Sequence, residues 1–328
     1  MKTTYLLGAG ASAHAIPIAN KLKGKIPELI FLLEKYRNKN PNSSESLIEK
    51  YYQLIETLQE HNTIDEMLVS WKENPPKSDI DIGLDLESLK ALTGFLILYL
   101  SWKSPVDYRY DVFVRSLLKE SKDLPKTTSI LNWNYDLQME FALSKYKNLS
   151  FAEAQNMMLC LPRVGDLSEQ FREFDANKFC VIKMNGTAGL YYNRNVSNVE
   201  CNVNNYENFI AEDILCQINH WYGGTFSKII HNLMTHTIEN TSLRLDYIVS
   251  AKKITQETEM LIVIGYSFPH YNAVVDRELL CGMKNLKKIV IQDLNPSCVK
   301  EKLLMLLPNK KVTVETMAPD YFYVPAIE

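Results

Sequence analysis

Small and polar residues that could bind a nucleotide stand directly after the first apolar run of the chain. Gly8, Gly10 and Ala13 fit the spacing G-x-G-x-x-G/A, in which the glycines allow a tight turn and let a pyrophosphate approach the backbone. Ser12 would add a hydroxyl donor, and a helix predicted to begin at Ala11 would add backbone N–H groups and a favourable dipole. The plainer alternative is that these glycines serve only a strand–helix turn.

Four further polar clusters follow later apolar runs, and any one of them alone could be a plain loop. Together with the first cluster they indicate a single site. The apolar runs cover residues 127–132, 179–184, 260–264 and 288–292, and the clusters are Asn132-Trp133-Asn134-Tyr135-Asp136, Asn185-Gly186, Gly265-Tyr266-Ser267 and Asp293-Leu294-Asn295.

The elements that must position these clusters are buried parallel strands, because the apolar runs are continuous rather than alternating. They alternate with helical patterns, so the sequence predicts an α/β fold: a Rossmann-like doubly wound parallel sheet with large helical insertions. In such sheets ligands bind outside the carboxyl ends of the strands, at the topological switch point. A dinucleotide fold usually continues with a second strand and a ribose-binding acid about 20 residues on. Here residues 26–33 are instead predicted to be helical.

The organisation predicted is one domain over residues 1–328. A short last strand is expected at 311–316, and the aromatic strip at 321–325 is expected to dock on the sheet edge or on a partner. The Rossmann-like core is predicted at about 1–24, 123–190 and 258–318, and the helical insertions at about 25–122 and 206–257.

Composition excludes several classes of protein. A net charge of −3 gives no basic field for nonspecific nucleic-acid binding, so no direct nucleic-acid partner is predicted. No apolar run approaches the roughly 18 residues of a membrane span. The six cysteines include no C-x-x-C pair, which argues against a structural zinc site and against a disulfide framework. A cytoplasmic protein with reduced thiols and no bound metal is the expectation.

The five clusters, in this order, resemble the Sir2-like (sirtuin-related) NAD-consuming family, in particular the Sir2-like domains of bacterial anti-phage defence systems. Gly8-Ala9-Gly10-Ala11-Ser12 is similar to the family's G-A-G-x-S loop, and Asn132 to Asp136 is similar to its T-x-N-x-D element. Lys183-Met184-Asn185-Gly186 stands where the family has K-x-H-G. Gly265-Tyr266-Ser267 resembles the family's ribose contact, and Asn295 its adenosine-side asparagine.

The sequence departs from the family in two ways. The zinc module that supports the peptide groove of protein deacylases is absent, which argues against deacylation as the activity of this chain. Asn185 stands at the position of the catalytic histidine. Asparagine cannot accept a proton near neutral pH, whereas histidine titrates there.

The activity implied by the resemblance is hydrolysis of NAD+ to nicotinamide and ADP-ribose, with an oxocarbenium-like transition state on the ribose. Asn134 would orient water and ribose hydroxyls, and Asp136 would hold the carboxamide or balance the developing charge. Asn185 would hydrogen-bond a ribose hydroxyl. His14 would pack on the ligand, with an ordinary surface histidine as the alternative. The implied NAD+ contacts are Gly8, Ala9, Gly10, Ser12, His14, Gly186, Gly265, Tyr266, Ser267 and Asn295.

The function of the protein in the cell stays open at this point. The resemblance implies an effector subunit that works as a homo-oligomer, activated by a protein partner such as an ATPase or a nucleotide-sensing subunit. The alternative function is a catalytically weak or inactive nucleotide-binding regulatory subunit, with Asn185 marking lost catalysis. An ADP-ribosyl transferase or a deacylase is a weaker third reading.

Overall fold

The computed structural model describes residues 1–39, 45–73, 86–118, 123–193, 198–201, 230–234, 242–308 and 311–325. Six of its strands form one parallel sheet, so the predicted fold class is confirmed. The order across this sheet is β10-β9-β8-β1-β2-β4. The strands are β1 (Thr3–Leu7), β2 (Thr128–Asn132), β4 (Cys180–Lys183), β8 (Met260–Ile264), β9 (Lys288–Gln292) and β10 (Thr313–Met317), with β3, β5, β6 and β7 in a second sheet.

Helices flank this sheet and also form the first insertion. In the described part of the chain the α-helices are α1 (Ala19–Leu22), α2 (Ile26–Lys39), α3 (Glu45–Thr57), α4 (Ile64–Glu73), α5 (Leu86–Lys103), α6 (Tyr108–Leu118), α7 (Gln138–Lys147), α8 (Phe151–Met157), α9 (Leu167–Arg172), α10 (Ser242–Thr255), α11 (Ala273–Gly282) and α12 (Pro296–Leu306). Within those same ranges, no helix combines the length and the apolar character that crossing a bilayer requires.

The strand order changes direction between β1 and β8. From β1 the chain builds outward through β2 and β4 on one side, and later through β8, β9 and β10 on the other. β1, β2, β4 and β8 are buried along their whole length, which explains why their sequences are continuous apolar runs rather than alternating patterns. Because the strand order changes direction between β1 and β8, a crevice forms at their carboxyl ends. This is where a doubly wound sheet binds its ligand.

The turn after β1 is tighter than the sequence predicted. Ala9–Ser12 is a single 3-10 turn, closed by a 2.9 Å hydrogen bond from the Ala11 N–H to the Gly8 carbonyl. The first α-helix begins only at Ala19, so the predicted helix start at Ala11 is wrong. Pro17 explains the break, because proline disfavours a helical conformation in the residue before it and lacks an N–H group.

The first insertion is helical, as predicted, and has an apolar core of its own. Helices α2 to α5 pack around side chains such as Leu54 and Phe95, which are fully buried. Every residue of α5 from 89 to 101 is buried, which explains why this stretch is apolar on all sides.

A second, antiparallel sheet was not predicted. Its strands are β3 (Gly165–Asp166), β5 (Gly186–Asn193), β6 (Asn198–Cys201) and β7 (Ile230–Met234), in the order β3-β6-β5-β7. Residues 206–257, predicted to be a helix-rich insertion, contain strand β7 and helix α10 among their described residues; positions 206–229 and 235–241 lie outside them. The strand β5 begins directly at Gly186, so this sheet continues from the polar cluster after β4.

The aromatic strip near the C-terminus docks on the chain itself. Phe322 is buried against Tyr110 and Phe113, with ring centroids 5.0 and 5.5 Å away. The Tyr5 hydroxyl donates a 3.0 Å hydrogen bond to the carbonyl of Tyr323. These contacts fix residues 319–323 over β1 and α6, close to the turn that follows β1.

Candidate functional site

An open cleft lies at the carboxyl ends of β1, β2, β4 and β8. Its walls come from three parts of the fold: the strand-end turns of the core, the 3-10 segment after β8, and the first helical insertion. The predicted site residues that line it are Gly8, Ala9, Ser12, Asn134, Asp136, Asn185, Gly265, Tyr266 and Ser267. The tertiary structure therefore brings together residues that are up to 259 positions apart, as the fold prediction required.

The remaining predicted residues lie outside the cleft lining. Gly186 occupies the turn between β4 and β5 with φ of +74°, a conformation that favours glycine. His14 is half exposed and stacks on Tyr108, with ring centroids 5.4 Å apart. Asn295 is exposed at the N-cap of α12, where its side chain accepts from the Cys298 N–H. These positions favour structural roles, including the ordinary surface histidine that was the alternative for His14.

Gly10 is also outside the cleft lining, because protein backbone fills the space beside its Cα. A Cβ atom on Gly10 would lie 2.7 Å from the Cα of Gly265, and one on Gly8 would lie 2.5 Å from the Gly265 carbonyl oxygen. Gly265 has φ of +58° and faces Gly10 in return. The glycines therefore let two strand-end turns touch each other. The expected role of Gly10 as the point where a pyrophosphate approaches the backbone stays a prediction.

Asn134 has a fixed orientation at the centre of the cleft. Its Nδ2 donates to the Gly8 carbonyl at 2.7 Å and to Ser12 Oγ at 3.3 Å, and the side chain is buried. A carbonyl oxygen can only accept, so the atom that faces Gly8 must be the amide nitrogen. The Oδ1 atom of Asn134 is thereby turned away from this contact and remains an acceptor for a bound molecule.

Ser12 completes the same network from the glycine turn. Its Oγ lies 3.1 Å from the hydroxyl of Tyr110, and it is 1% exposed. Burial raises the pKa of Tyr110 well above its ordinary value, and the charge of Asp136 raises it further. Tyr110 is therefore a neutral hydroxyl that holds Ser12 in place at any physiological pH.

Asp136 lies at the other end of the same polar turn. Its Oδ1 accepts from the Gln138 N–H at 3.1 Å, at the start of α7, so part of its role is to stabilise that helix start. Beneath it, Lys183 and Glu140 form a completely buried ion pair with a 3.1 Å separation. Lys183 Nζ also donates to the Asp136 carbonyl. Burial raises the pKa of Glu140, and the charge of Lys183 opposes that rise.

Asn185 lies beside this turn, with one polar atom that has no partner among the described residues. Its Nδ2 donates to the Trp133 carbonyl at 3.3 Å, whereas its buried Oδ1 accepts no hydrogen bond from them. Three other buried polar atoms on the cleft wall also have no hydrogen-bond partner among the described residues: Thr93 Oγ1, Asn272 Oδ1 and the donor Nε1 of Trp133. Leaving such a group unpaired costs about 1–3 kcal/mol. Buried polar atoms of this kind are suited to a polar ligand.

Tyr266 forms the wall on the β8 side. It stacks on Trp133 with an interplanar angle of 3° and a centroid separation of 5.7 Å. Its hydroxyl donates to Asp276 at 2.8 Å and accepts from Asn272 Nδ2 at 2.9 Å. Burial raises the pKa of Asp276 to about 8, although the hydrogen bond from Tyr266 acts in the opposite direction.

Two groups of residues near the cleft were missed by the sequence reasoning. Arg109, buried in an ion pair with Asp107 at 2.6 Å, donates to the carbonyl of Ala11 at 3.0 Å. Asp65 and Tyr271 line the cleft from the first insertion and from the 3-10 segment after β8. Neither group stands at the end of an apolar run, and neither belongs to a motif that carries the family resemblance.

The charges of the cleft wall are negative in the described part of the chain. Asp65 and Asp136 are the ionisable carboxyl groups there, and no lysine, arginine or histidine joins them. The described residues also hold no group of three or more histidine, cysteine, aspartate or glutamate side chains that could bind a metal ion. The arrangement can therefore stabilise a cationic centre and offer hydrogen bonds, but it offers no imidazole as a general base.

Comparison with known proteins adds a limited set of findings. No protein-family model matches the chain, and no curated protein matches it. Among solved structures, a complex of Sir2 with the inhibitor EX-527, 2'-O-acetyl-ADP-ribose and a deacetylated p53 peptide is 12% identical with a TM-score of 0.42, over 97% of this chain and 89% of that one. Sir2Tm bound to a propionylated peptide is 13% identical with a TM-score of 0.42, over 97% and 88%. A Sir2–p53 peptide–NAD+ complex is 12% identical with a TM-score of 0.38, over 96% and 86%. At these values the function has to be argued from the residues of the cleft itself.

Proposed function

We propose that this chain is an NAD+ hydrolase that breaks the bond between nicotinamide and ribose. The observation that carries the proposal is the orientation of Asn134. Its amide nitrogen is bound to the Gly8 carbonyl at 2.7 Å, so its oxygen is left as an acceptor inside the cleft. An acceptor held in that way can orient a water molecule or a ribose hydroxyl without moving during the reaction.

The charges of the cleft support the same chemistry. Cleavage of this bond builds positive charge on the ribose, and the Asp136 carboxyl group stands on the cleft wall beside Asn134. Fixed negative charge in a buried site lowers the energy of such a transition state. The partnerless Oδ1 of Asn185 adds a second buried acceptor, which suits a hydroxyl of the same sugar.

Catalysis would proceed without a histidine base. General-base assistance is worth typically about 10²–10⁴-fold, so its loss slows a reaction of this kind without abolishing it. The rate would then depend on positioning by Asn134 and on the charge of Asp136. We therefore expect a slow enzyme when the chain is studied alone.

The experiment that tests this proposal is a nicotinamide-release assay on the purified full-length chain with NAD+, repeated with the Asn134→Ala variant. Turnover by the wild-type chain that disappears in the variant is the expected result. Turnover that is the same in both proteins would show that the reaction, if any, occurs elsewhere.

A second candidate function is a nucleotide-binding regulatory subunit. The observation that favours it is the replacement of the family's histidine by Asn185, together with the lack of any histidine in the described cleft wall. Such a protein would bind NAD+ or ADP-ribose, as measured by titration calorimetry, and would release no nicotinamide in any assembly.

The biological setting is proposed from the sequence resemblance. It implies an effector of a bacterial anti-phage defence complex, in which an open NAD+ hydrolase would harm its own cell unless held inactive. A molecule that activates such an enzyme shifts the equilibrium between its inactive and active states. The shift can be no larger than the difference in that molecule's binding free energy for the two states. We expect activity to rise on assembly into a homo-oligomer or with a partner protein. Full, concentration-independent activity of a demonstrated monomer would contradict this.

A further inference from the structure

A hydrogen bond joins the first helical insertion to the polar turn of the cleft, which is formed by Asn134, Tyr135 and Asp136. Tyr135 stands between Asn134 and Asp136, and its hydroxyl donates a 3.0 Å hydrogen bond to Oδ1 of Asp65. Asp65 lies in the first turn of α4, within the insertion. Burial raises the pKa of Tyr271, in the 3-10 segment after β8, and the charge of Asp65 raises it further. Tyr271 and Asp65 both line the cleft, so Asp65 lies where three separate parts of the fold meet at its edge.

The backbone of this turn is held by the core of the protein. The Asn134 N–H donates to Asn132 Oδ1 at 2.8 Å, and the Tyr135 carbonyl accepts from the Ala188 N–H at 2.8 Å. The Asp136 carbonyl accepts from Lys183. The side chain of Tyr135 points the other way and packs against the apolar core of the insertion. A displacement of α4 relative to the core would therefore displace Tyr135, which stands between the proposed catalytic residues Asn134 and Asp136.

A simpler role for Asp65 is that of an acidic residue in the first turn of a helix, where it favours the helix dipole. That role needs no contact with tyrosine, and Glu66 in the same turn could serve it equally. A hydrogen bond from the Tyr135 hydroxyl, on a distant strand-end segment, is not needed for a helix start. Hydrogen bonds to an ionised carboxylate are also stronger than those between neutral groups.

We propose that Asp65 is a positioning residue that sets the geometry of the Asn134–Asp136 turn through the hydroxyl of Tyr135. The inference rests on the proposed NAD+ cleavage and extends it to regulation of that same site. Through this hydrogen bond the helical insertion controls how well the turn is aligned for the reaction. A molecule that binds the insertion and moves α4 would change kcat more than it changes the affinity for NAD+.

The test compares the wild-type chain with four single variants and with the double variant that combines Asp65→Ala and Tyr135→Phe. Asp65→Ala and Tyr135→Phe each remove the hydrogen bond, and the second keeps the ring that packs on the insertion. Asp65→Asn keeps an acceptor oxygen for Tyr135 but removes the charge. Tyr52→Phe is the matched control, because the Tyr52 hydroxyl donates a 3.0 Å hydrogen bond to Glu34 in the same insertion, on its exposed surface.

The expected result is a kcat lower by about 10- to 100-fold in Asp65→Ala and Tyr135→Phe, with KM for NAD+ within about twofold of the wild type. The double variant is expected to be no slower than either single variant, because both act through one hydrogen bond. Asp65→Asn is expected to restore most of the rate, and Tyr52→Phe to leave it unchanged. A loss in Asp65→Asn as large as in Asp65→Ala would overturn the proposal, because it would assign Asp65 to direct contact with the substrate.

A second measurement separates this inference from the proposed function. Hydrogen exchange of the backbone amides of residues 133–138 reports the order of the turn whether or not the chain cleaves NAD+. Faster exchange in Asp65→Ala and Tyr135→Phe, but not in Tyr52→Phe, supports the coupling even if no variant and no wild-type protein releases nicotinamide. Unchanged exchange in both variants would overturn it.

Discussion

The amide of Gly10 donates a 2.9 Å hydrogen bond to the carbonyl of Gly265, and a Cβ atom on either glycine would lie within 2.7 Å of the Cα of the other. The turn after β1 and the turn after β8 are therefore packed against each other at the point where the strand order changes direction. The cleft lies beside this contact, and its shape depends on the absence of side chains there.

Gly10→Ala is predicted to destabilise the protein, because the new Cβ would lie 2.7 Å from Gly265 Cα and the backbone cannot yield cheaply. Overpacking of this kind costs about 1–3 kcal/mol. Gly24→Ala is the matched control, since nothing lies within 4 Å of a Cβ at that position. It is expected to be neutral or to stabilise by up to about 1 kcal/mol. Urea denaturation of both variants measures the difference, and equal midpoints would contradict the role given to Gly10.

Asn134→Ala is predicted to reduce nicotinamide release by at least about 100-fold, because the oriented acceptor in the cleft is lost. The change also leaves the Gly8 carbonyl without its 2.7 Å partner, so a modest loss of stability is expected as well. Asn285→Ala, at an exposed position, is the control. A folded Asn134→Ala protein that retains the wild-type rate would refute the catalytic assignment.

Thr93→Val is predicted to stabilise the ligand-free protein, since the Thr93 hydroxyl is buried without a partner among the described residues. The gain should be about 1 kcal/mol, because an unpaired buried hydroxyl is costly. Affinity for NAD+ or ADP-ribose is predicted to fall at the same time. Thr255→Val is the contrasting variant: its hydroxyl donates to Ala251 at 2.8 Å, so the same substitution there should destabilise. Thermal unfolding and titration calorimetry measure the two effects.

The buried carboxyl of Asp276 gives a prediction for the pH dependence of stability. Its pKa in the folded protein is about 8, raised from 3.8 by burial, so the folded state holds a proton that the unfolded state releases in this range. The contribution of Asp276 to the free energy of unfolding is greatest below pH 3.8. It falls as the pH rises towards 8, by at most about 1.4 kcal/mol per pH unit. Asp276→Asn should flatten this part of the profile. Urea midpoints measured between pH 4 and pH 9 test it, and parallel profiles would contradict the assignment.

Much of the fold could be predicted from the sequence because it depends on local patterns. The runs that became β1, β2, β4, β8 and β9 are apolar without alternation, which only strands buried on both faces require. The helical character of the first insertion follows equally from its periodicity. The polar clusters after these strands could be located because parallel strands present all their carboxyl ends at one edge.

Other features depend on contacts between distant segments, and no local pattern encodes them. The space beside Gly10 is filled by Gly265, which is far away in the chain. The antiparallel sheet joins Gly165–Asp166 to strands that begin at residue 186 or later, and its strands carry no strong apolar signal. Asp65 was missed because it becomes a neighbour of Tyr135 only when the insertion folds back over the cleft.

The sequence by itself determined the sheet, the place of the cleft and the residue types at the strand ends, because these follow from burial and from chain direction. The tertiary structure decided which of those residues face the cleft and which atoms they leave free. Asn134 shows the difference: its position follows from the end of β2, but the direction of its amide is set by the Gly8 carbonyl, 126 residues away in the chain. Hydrogen-bond orientation depends on the partner in space, and that partner exists only in the folded chain.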